Sequence, residues 1–310
     1  MILMLKRLLS WQRSCWMLDY VYLGLYKFFS ILLKVLPNRA KIKMMKGLGW
    51  FAYKVSVKHK NIINNNLELA FPKRFTSVEK EEIGKAAFTN LIDTVFGIIK
   101  RDGIEKDEVL QNITFEGEEI IDQYQKEGKQ FILLAGHYGN WELLSQAIAI
   151  KFDLTLVGVG RQLDSAFMDR ILKENRERFN VEMVYKKGAM KGCIKAINEG
   201  KIVGILTDQA IRKNQSQDVI FFGQPATHTP LASILSRKFG LDLVPAYIHT
   251  EDYINYTVKI EPPLKTLKTE SQEEDLAILT QLQADVIEKK IKKNLKQWFW
   301  MHKRWKGFDK

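Results

Sequence analysis

The chain has 310 residues, of which 46% are hydrophobic and 11% aromatic, and this composition excludes a disordered protein. Two cysteines, Cys15 and Cys193, are too few for a disulfide framework, so a reducing, cytoplasmic setting is expected for the main domain. The net charge of +12 is uneven: residues 1–67 carry +11, residues 289–310 carry +8, and the middle of the chain carries −7.

Both basic ends of the chain also contain aromatic residues. Lys and Arg attract anionic headgroups, whereas Trp and Tyr prefer the boundary between lipid and water. We therefore expect a membrane surface, and no nucleic acid, as the partner of the two ends. A charged face exposed only to solvent is the alternative.

Residues 16–36 are the most apolar segment and have about the length of a membrane span. Three charged residues, Asp19, Lys27 and Lys34, interrupt the segment and would be costly at the centre of a bilayer. The pattern predicts a marginal transmembrane helix or a helix lying in the membrane interface. No small-residue cleavage site follows, so a cleaved signal peptide is not expected. If the segment spans the membrane, the basic residues after it favour a cytoplasmic location of the main domain.

A long helix is predicted to follow Pro72. Thr76 and Glu79 have the spacing of a capping box, and apolar residues recur at helical spacing from Ile83 to Ile98. We expect this helix to pack on a sheet and assign it no chemistry.

The central motif is the stretch from Phe131 to Glu142. Five apolar residues predict a buried strand, and Asn140 is a suitable cap for a helix that begins at Trp141. His137 then lies just beyond the end of a strand, where open α/β sheets bind ligands. Glu142, in the first helical turn, is expected to fold back to the imidazole, which leaves the other ring nitrogen to accept a proton from a substrate hydroxyl. A structural histidine is the alternative.

Strands and helices alternate after this motif: strands are predicted over residues 154–159, 181–185 and 202–207, and helices over 165–179 and 190–199. The alternation predicts an α/β fold with a mostly parallel central sheet flanked by helices. Arg161 and Asp208 each follow a predicted strand, as His137 does, so the three side chains are expected at one edge of the sheet. Taken singly, either residue could be a solvated or capping residue.

The remainder of the chain contains an apolar hairpin, residues 218–228, expected to wall the core. A helix over residues 230–239, strands over 243–248 and 253–260, and a long helix over 273–296 are also predicted. Near the end, Trp298, Trp300 and Trp305 alternate with basic residues, and their rings are expected in the headgroup zone of a membrane.

Several common motifs are missing from the sequence. The string Gly158-Val159-Gly160 begins like a dinucleotide fingerprint, but Leu163 occupies its third glycine position. The sequence has no G-x-S-x-G elbow, P-loop or H-E-x-x-H string. We therefore expect no metal and no cofactor.

The string H-Y-G-N-W-E at residues 137–142 resembles the H-x4-D/E block of glycerolipid-type acyltransferases, and its G-N-W-E form resembles the lipid A late acyltransferases. Similar elements of that family are N-L-x-x-A-F-P ending at Pro72, Asp208-Gln209, and F-F-G-x-P-A from Phe221. The family's closing W-x-H-R-R-x-K string is matched here with Lys303 in place of the first Arg, which puts bidentate phosphate contact there in doubt. The resemblance covers most of residues 50–310.

The resemblance implies a glycerolipid acyltransferase-like domain over residues 46–310, after an N-terminal membrane anchor or interfacial helix over residues 1–45. It implies an O-acyltransferase that moves an acyl chain from acyl carrier protein or coenzyme A to a hydroxyl of a lipid A precursor. His137 would be the general base and Glu142 its supporting carboxylate, with no covalent acyl-enzyme. The residues expected to bind substrate are Arg161, Asp208, Gln209, Asn140 and Arg304. The expected location is the inner membrane, with the catalytic domain on its cytoplasmic face.

Two alternatives keep parts of this interpretation. The same chemistry could act on another lysolipid, an aminolipid or a glycolipid. The chain could also be a non-catalytic lipid-binding protein of the membrane surface.

Overall fold

A computed structural model describes residues 2–307, with side chains from Asp19 onward. Cys15 and Trp16 therefore lie outside the described side chains. Each helix and strand predicted between residues 131 and 296 is present, with bounds that differ by at most three residues.

The centre of the molecule is a seven-stranded sheet in the order β1-β9-β8-β2-β5-β3-β4. The strands of this sheet are β1 (Ile113–Glu116), β2 (Ile132–Ala135), β3 (Leu156–Gly160), β4 (Val181–Tyr185), β5 (Ile202–Leu206), β8 (Leu243–His249) and β9 (Tyr256–Ile260). Strands β8, β2, β5, β3 and β4 are parallel. Strand β9 pairs with β8 in the antiparallel direction, and β1 is parallel to β9. The predicted mostly parallel sheet is confirmed.

Helices cover both faces of the sheet, as buried parallel strands require. The helices of the described residues are α1 (Ile2–Val35), α2 (Asn38–Val55), α3 (Val57–Ala70), α4 (Ser77–Lys100), α5 (Lys106–Leu110), α6 (Glu118–Lys126), α7 (Trp141–Lys151), α8 (Ala166–Glu177), α9 (Ala189–Asn198), α10 (Leu231–Phe239) and α11 (Gln272–Lys293). The predicted capping box is present: Thr76 accepts from the backbone of Glu79, and the Glu79 carboxylate accepts from the Thr76 backbone.

Helices α1 and α2 both pack against α4. Residue 45, the expected end of the anchor, falls inside α2, and Met45 is fully buried against Leu33 and Phe96. Helix α2 therefore packs on the main domain. Across residues 2–307, none of the helices combines the length and the apolar character that a membrane span needs.

An antiparallel hairpin lies beside the main sheet, formed by β6 (Gln217–Phe221) and β7 (Gln224–His228). Its two-residue turn places Phe222 and Gly223 at positive φ, the backbone of a type I′ turn. The hairpin buries Val219, Phe221 and Ala226 in one cluster with C-terminal residues, which confirms that it walls the core.

The C-terminal tryptophans contradict the prediction that they lie at a membrane surface. Trp298, Trp300 and Trp305 are all buried. Their indole N–H groups donate to Asp208, to the Leu295 carbonyl and to the Phe221 carbonyl, respectively. A ring whose N–H finds an internal acceptor can be buried at little cost, and these rings are part of the core.

Candidate active site

His137 lies in the turn between β2 and α7. The turn needs Gly139, which has φ +59°, and a side chain there would overlap the carbonyl oxygen of Ile248. Asn140 ends the turn as the N-cap of α7, since its Oδ1 accepts from the backbone of Leu143 at 3.1 Å. Strand, tight turn and capped helix together hold His137 at the carboxyl edge of the sheet.

Asp208 is the carboxylate that supports His137. Strand β5 is the neighbour of β2, and the chain continues from it to Asp208, whose Oδ1 lies 2.8 Å from His137 Nδ1. Its Oδ2 accepts from the His137 backbone N–H at 3.0 Å and from the Trp298 indole at 2.7 Å. Burial would raise the pKa of Asp208, but the attraction of His137 and these hydrogen bonds hold that pKa well below its usual range.

This contact sets the chemistry of the imidazole. A carboxylate on Nδ1 keeps that nitrogen protonated and stabilises the imidazolium, so Nε2 is the position that can accept a proton. Gln209 Nε2 lies 3.2 Å from this nitrogen. The His137 side chain is 18% exposed, and the rings of Trp141 and Phe299 lie 5.1 and 6.0 Å from it. The partly exposed imidazole therefore has aromatic surroundings.

The predicted contact of Glu142 with His137 is wrong. Both oxygens of Glu142 accept from Arg176 of α8, at 2.8 and 2.7 Å. Burial would raise the pKa of Glu142, but the charge and hydrogen bonds of Arg176, followed by Arg101 and His137, lower it. Local spacing favoured Glu142, whereas the pairing of β2 with β5 brings Asp208 to His137 instead.

The other expected substrate-binding residues have different surroundings. Arg161 follows β3 on the predicted edge, is 72% exposed, and pairs with Asp164. Asn140 is buried, and its amide also donates to Asp93, so its visible role is to hold α7. Arg304 is fully buried; it donates to the Thr227 carbonyl and lies against His228, so the expectation that it contacts substrate does not fit its position.

The sequence-based prediction missed the segment that covers the His137 turn, residues 296–302. Gly139 N–H donates to the Gln297 carbonyl at 2.8 Å, and Phe299 N–H donates to the His137 carbonyl at 2.9 Å. The Asn66 amide donates to the carbonyls of Trp300 and His302, at 2.8 and 2.7 Å. These contacts tie the turn to the end of the chain. The feature of the sequence that could have indicated this contact was Asn66, which lies within the N-L-x-x-A-F-P string.

His302 predicts a pH dependence of stability. Its Nε2 accepts from the Ala210 backbone at 3.0 Å, and burial, the largest cause, lowers its pKa from 6.5 to about 4. Since the unfolded chain takes up this proton near pH 6.5 and the folded chain only near pH 4, stability should fall as the pH drops through that window, by up to about 3 kcal/mol. Urea unfolding of His302→Gln, whose amide oxygen can replace Nε2, should show a flatter decline. An unchanged decline would contradict this assignment.

The Glu142–Arg176 pair predicts a large effect on stability. Glu142→Gln leaves the mostly buried Arg176 without its charge partner, and we expect a loss of about 3 kcal/mol in urea unfolding. The double variant Glu142→Gln, Arg176→Gln is the control and should recover most of that loss. Wild-type stability in the single variant would show that the pair contributes little.

The fold and the site define the chain as an α/β protein with a carboxylate-supported histidine at the strand ends, the arrangement of a general base. Within the described side chains, no group of three His, Cys, Asp or Glu residues is placed to hold a metal. Comparison with known proteins supplies the family. The model of the bacterial lipid A biosynthesis acyltransferases matches residues 10–307, and the chain belongs to that family. It is therefore an acyltransferase.

Individual relatives agree with this membership. A lipid A biosynthesis acyltransferase of Haemophilus influenzae is 27% identical over 268 residues, which cover 84% of this chain and 82% of that protein. The lipid A biosynthesis lauroyltransferase of Escherichia coli is 26% identical over 282 residues, with 87% of both chains covered. The lipid A biosynthesis palmitoleoyltransferase of the same organism is 22% identical over 265 residues, which cover 84% of this chain and 82% of that protein. The two Escherichia coli relatives are named for different acyl chains.

Proposed function

We propose that the protein transfers an acyl chain from a thioester to a hydroxyl of a lipid A precursor, with His137 as general base. The observation that carries this proposal is the 2.8 Å contact between His137 Nδ1 and Asp208, which makes Nε2 the basic position. The family acts in lipid A biosynthesis, which supports the choice of acceptor.

In the proposed reaction, Nε2 takes the proton of the acceptor hydroxyl as its oxygen attacks the thioester carbonyl carbon. The carbon–sulfur bond then breaks, and the imidazolium returns the proton to the leaving thiolate. Asp208 stabilises the imidazolium throughout, since its pKa keeps it ionised. No protein nucleophile is required, because the acceptor oxygen attacks directly.

The donor carrier is proposed to be acyl carrier protein or coenzyme A. The test supplies purified protein with either thioester and with a lipid A precursor, a lysophospholipid or an aminolipid, and reads the products by intact-lipid mass spectrometry. We expect one added acyl chain on the lipid A precursor and release of one thiol per chain. Acylation of a different acceptor alone would overturn the choice of substrate.

We further propose that α1 and α2 hold the protein on the cytoplasmic face of the inner membrane. Their exposed apolar side chains include Tyr20, Leu25, Phe28, Ile31, Val35, Trp50, Phe51 and Val55. Basic residues accompany them, among them Lys27, Lys34, Lys43 and Lys54. Apolar side chains with flanking cations suit an interface of anionic lipid.

A vesicle experiment tests this surface. The double variant Phe28→Ser, Ile31→Ser removes two side chains that are 57% and 66% exposed, and we expect at least tenfold weaker sedimentation with anionic vesicles. The matched control is Ile220→Ser, Ile278→Ser, whose side chains are 53% and 50% exposed on β6 and α11. Equal losses in the two variants would contradict a specific membrane face.

A further inference from the structure

A cavity of about 210 Å³ lies apart from His137, between the start of α2, the end of α4 and the first turn of α7. Strand β1 and the loop before β9 complete its wall. Neither His137 nor Asp208 lines it, so the proton-transfer chemistry does not account for it. Its volume is roughly that of seven waters, enough for a tetrahedral oxyanion with a short substituent.

Arg101 is the unusual residue of this wall. It follows α4 directly and is 5% exposed, yet its Nε and Nη2 have no hydrogen-bond partner among the described residues. A buried guanidinium with two unsatisfied nitrogens is costly, and Arg is the side chain best suited to planar recognition of oxyanions.

The nearest carboxylates do not satisfy Arg101. The hydrogen bonds of Glu142 go to Arg176. Those of Asp93 come from the Tyr256 hydroxyl at 2.8 Å and the Asn140 amide at 2.9 Å. Both carboxylates attract Arg101 electrostatically without bonding to it. Among the described residues, the Nε and Nη2 donors of Arg101 therefore have no acceptor.

Two further cations line the same cavity, Lys41 from α2 and Lys100 from α4. Burial lowers the pKa of Lys100; Asp93 opposes that shift, and the charges of Lys41 and Arg101 lower the pKa further. The N-terminus of α7, marked by Asn140, also faces the cavity and adds a partial positive charge. Two carboxylates, Asp93 and Glu108, line the cavity as well, so its three cations exceed them by one charge. The net positive charge favours an anion.

We propose that this cavity binds a phosphate-sized oxyanion, with Arg101 as its main donor and Lys100 and Lys41 as supporting cations. The oxyanion is free phosphate or a phosphate monoester carried by a larger molecule. Gly97 leaves room for this guanidinium, because a Cβ there would lie 2.6 Å from Arg101 Nη1 and 2.9 Å from the Asn140 amide nitrogen, and would displace both groups.

The experiment titrates the full chain with inorganic phosphate at constant ionic strength and follows binding by calorimetry and thermal unfolding. Wild-type protein should bind saturably, and Arg101→Gln should bind at least about tenfold more weakly, as charge-assisted hydrogen bonds are lost. Without phosphate, Arg101→Gln should melt no lower than wild type, since the unpaired buried charge is gone. Gly97→Ala, which keeps every charge, should also weaken binding.

Arg178→Gln is the matched control, because this exposed arginine lies close to Asp102 and takes no part in the cavity. It should bind phosphate as wild type does. Lys41→Gln, at the half-buried rim, tests the site without touching the buried arginine and should weaken binding severalfold. No saturable binding to wild type, or unchanged binding in Arg101→Gln and Lys41→Gln, would overturn the proposal.

Competition identifies the source of the phosphate. Glucosamine 1-phosphate represents the headgroup of a lipid acceptor, and phosphopantetheine represents the arm of a thioester donor. If one monoester displaces bound phosphate at a lower concentration than free phosphate does, the occupant belongs to the class of that monoester. If both monoesters displace it equally well or less well than free phosphate does, the occupant is the free ion. Acyl-transfer activity is not a readout here, so failure of this proposal is distinct from failure of the proposed function.

Discussion

Replacing His137 with alanine is expected to lower the rate of acyl transfer by at least about 10²- to 10⁴-fold, the usual contribution of a positioned general base. The variant loses the imidazole, whose Nδ1 contacts Asp208 and whose Nε2 is the proposed proton acceptor. Measured as thiol release with lipid A precursor as acceptor, the loss should fall on kcat.

The control for this experiment is folding. The His137 backbone N–H still donates to Asp208, and its carbonyl still accepts from Phe299, because alanine keeps both groups. Thermal unfolding should therefore change by only a few degrees. Wild-type turnover in a folded His137→Ala protein would rule out the proposed mechanism.

Replacing Asp208 with asparagine should lower the rate by about 10³- to 10⁴-fold, the size of effect expected when a supporting carboxylate is made neutral. The amide cannot stabilise an imidazolium, and an N–H facing Nδ1 would move the ring proton to Nε2, where a base is needed. The variant should also lose stability, since Oδ2 accepts from both His137 and Trp298.

A double variant tests whether His137 and Asp208 act as a unit or contribute to the rate independently. If the two residues act as a unit, His137→Ala combined with Asp208→Asn should be no slower than His137→Ala alone. Trp298→Phe provides a structural control, because it removes one hydrogen bond to Asp208 and keeps the charge. An additive loss in the double variant would contradict a coupled pair.

The local features of the site could be predicted from sequence. The strand that ends before His137, the cap at Asn140 and the capping box at Thr76 depend on neighbouring residues, and all three are present. Asp208 was expected at the same edge, because the carboxyl ends of parallel strands meet there.

The partners of the charged residues were not predictable in the same way. Whether Glu142 or Asp208 supports His137 depends on which strand lies beside β2, and strand order results from the packing of the whole sheet. The tryptophans near the C-terminus look amphipathic in sequence, but their N–H acceptors come from residues 208, 221 and 295. The acceptors at residues 208 and 221 are 90 and 84 residues away from their tryptophans, and contacts of such long range leave no periodic pattern.

The tie between residues 296–302 and the His137 turn has a consequence for biosynthesis. Asn66, His137 and Asp208 leave the ribosome well before residues 296–302. The hydrogen-bond partners of that segment lie in all three of these earlier regions. The nascent chain can build its sheet early, but its catalytic machinery is completed only when this late segment docks. A premature stop before residue 296 should therefore yield a chain with most of its strands and no turnover.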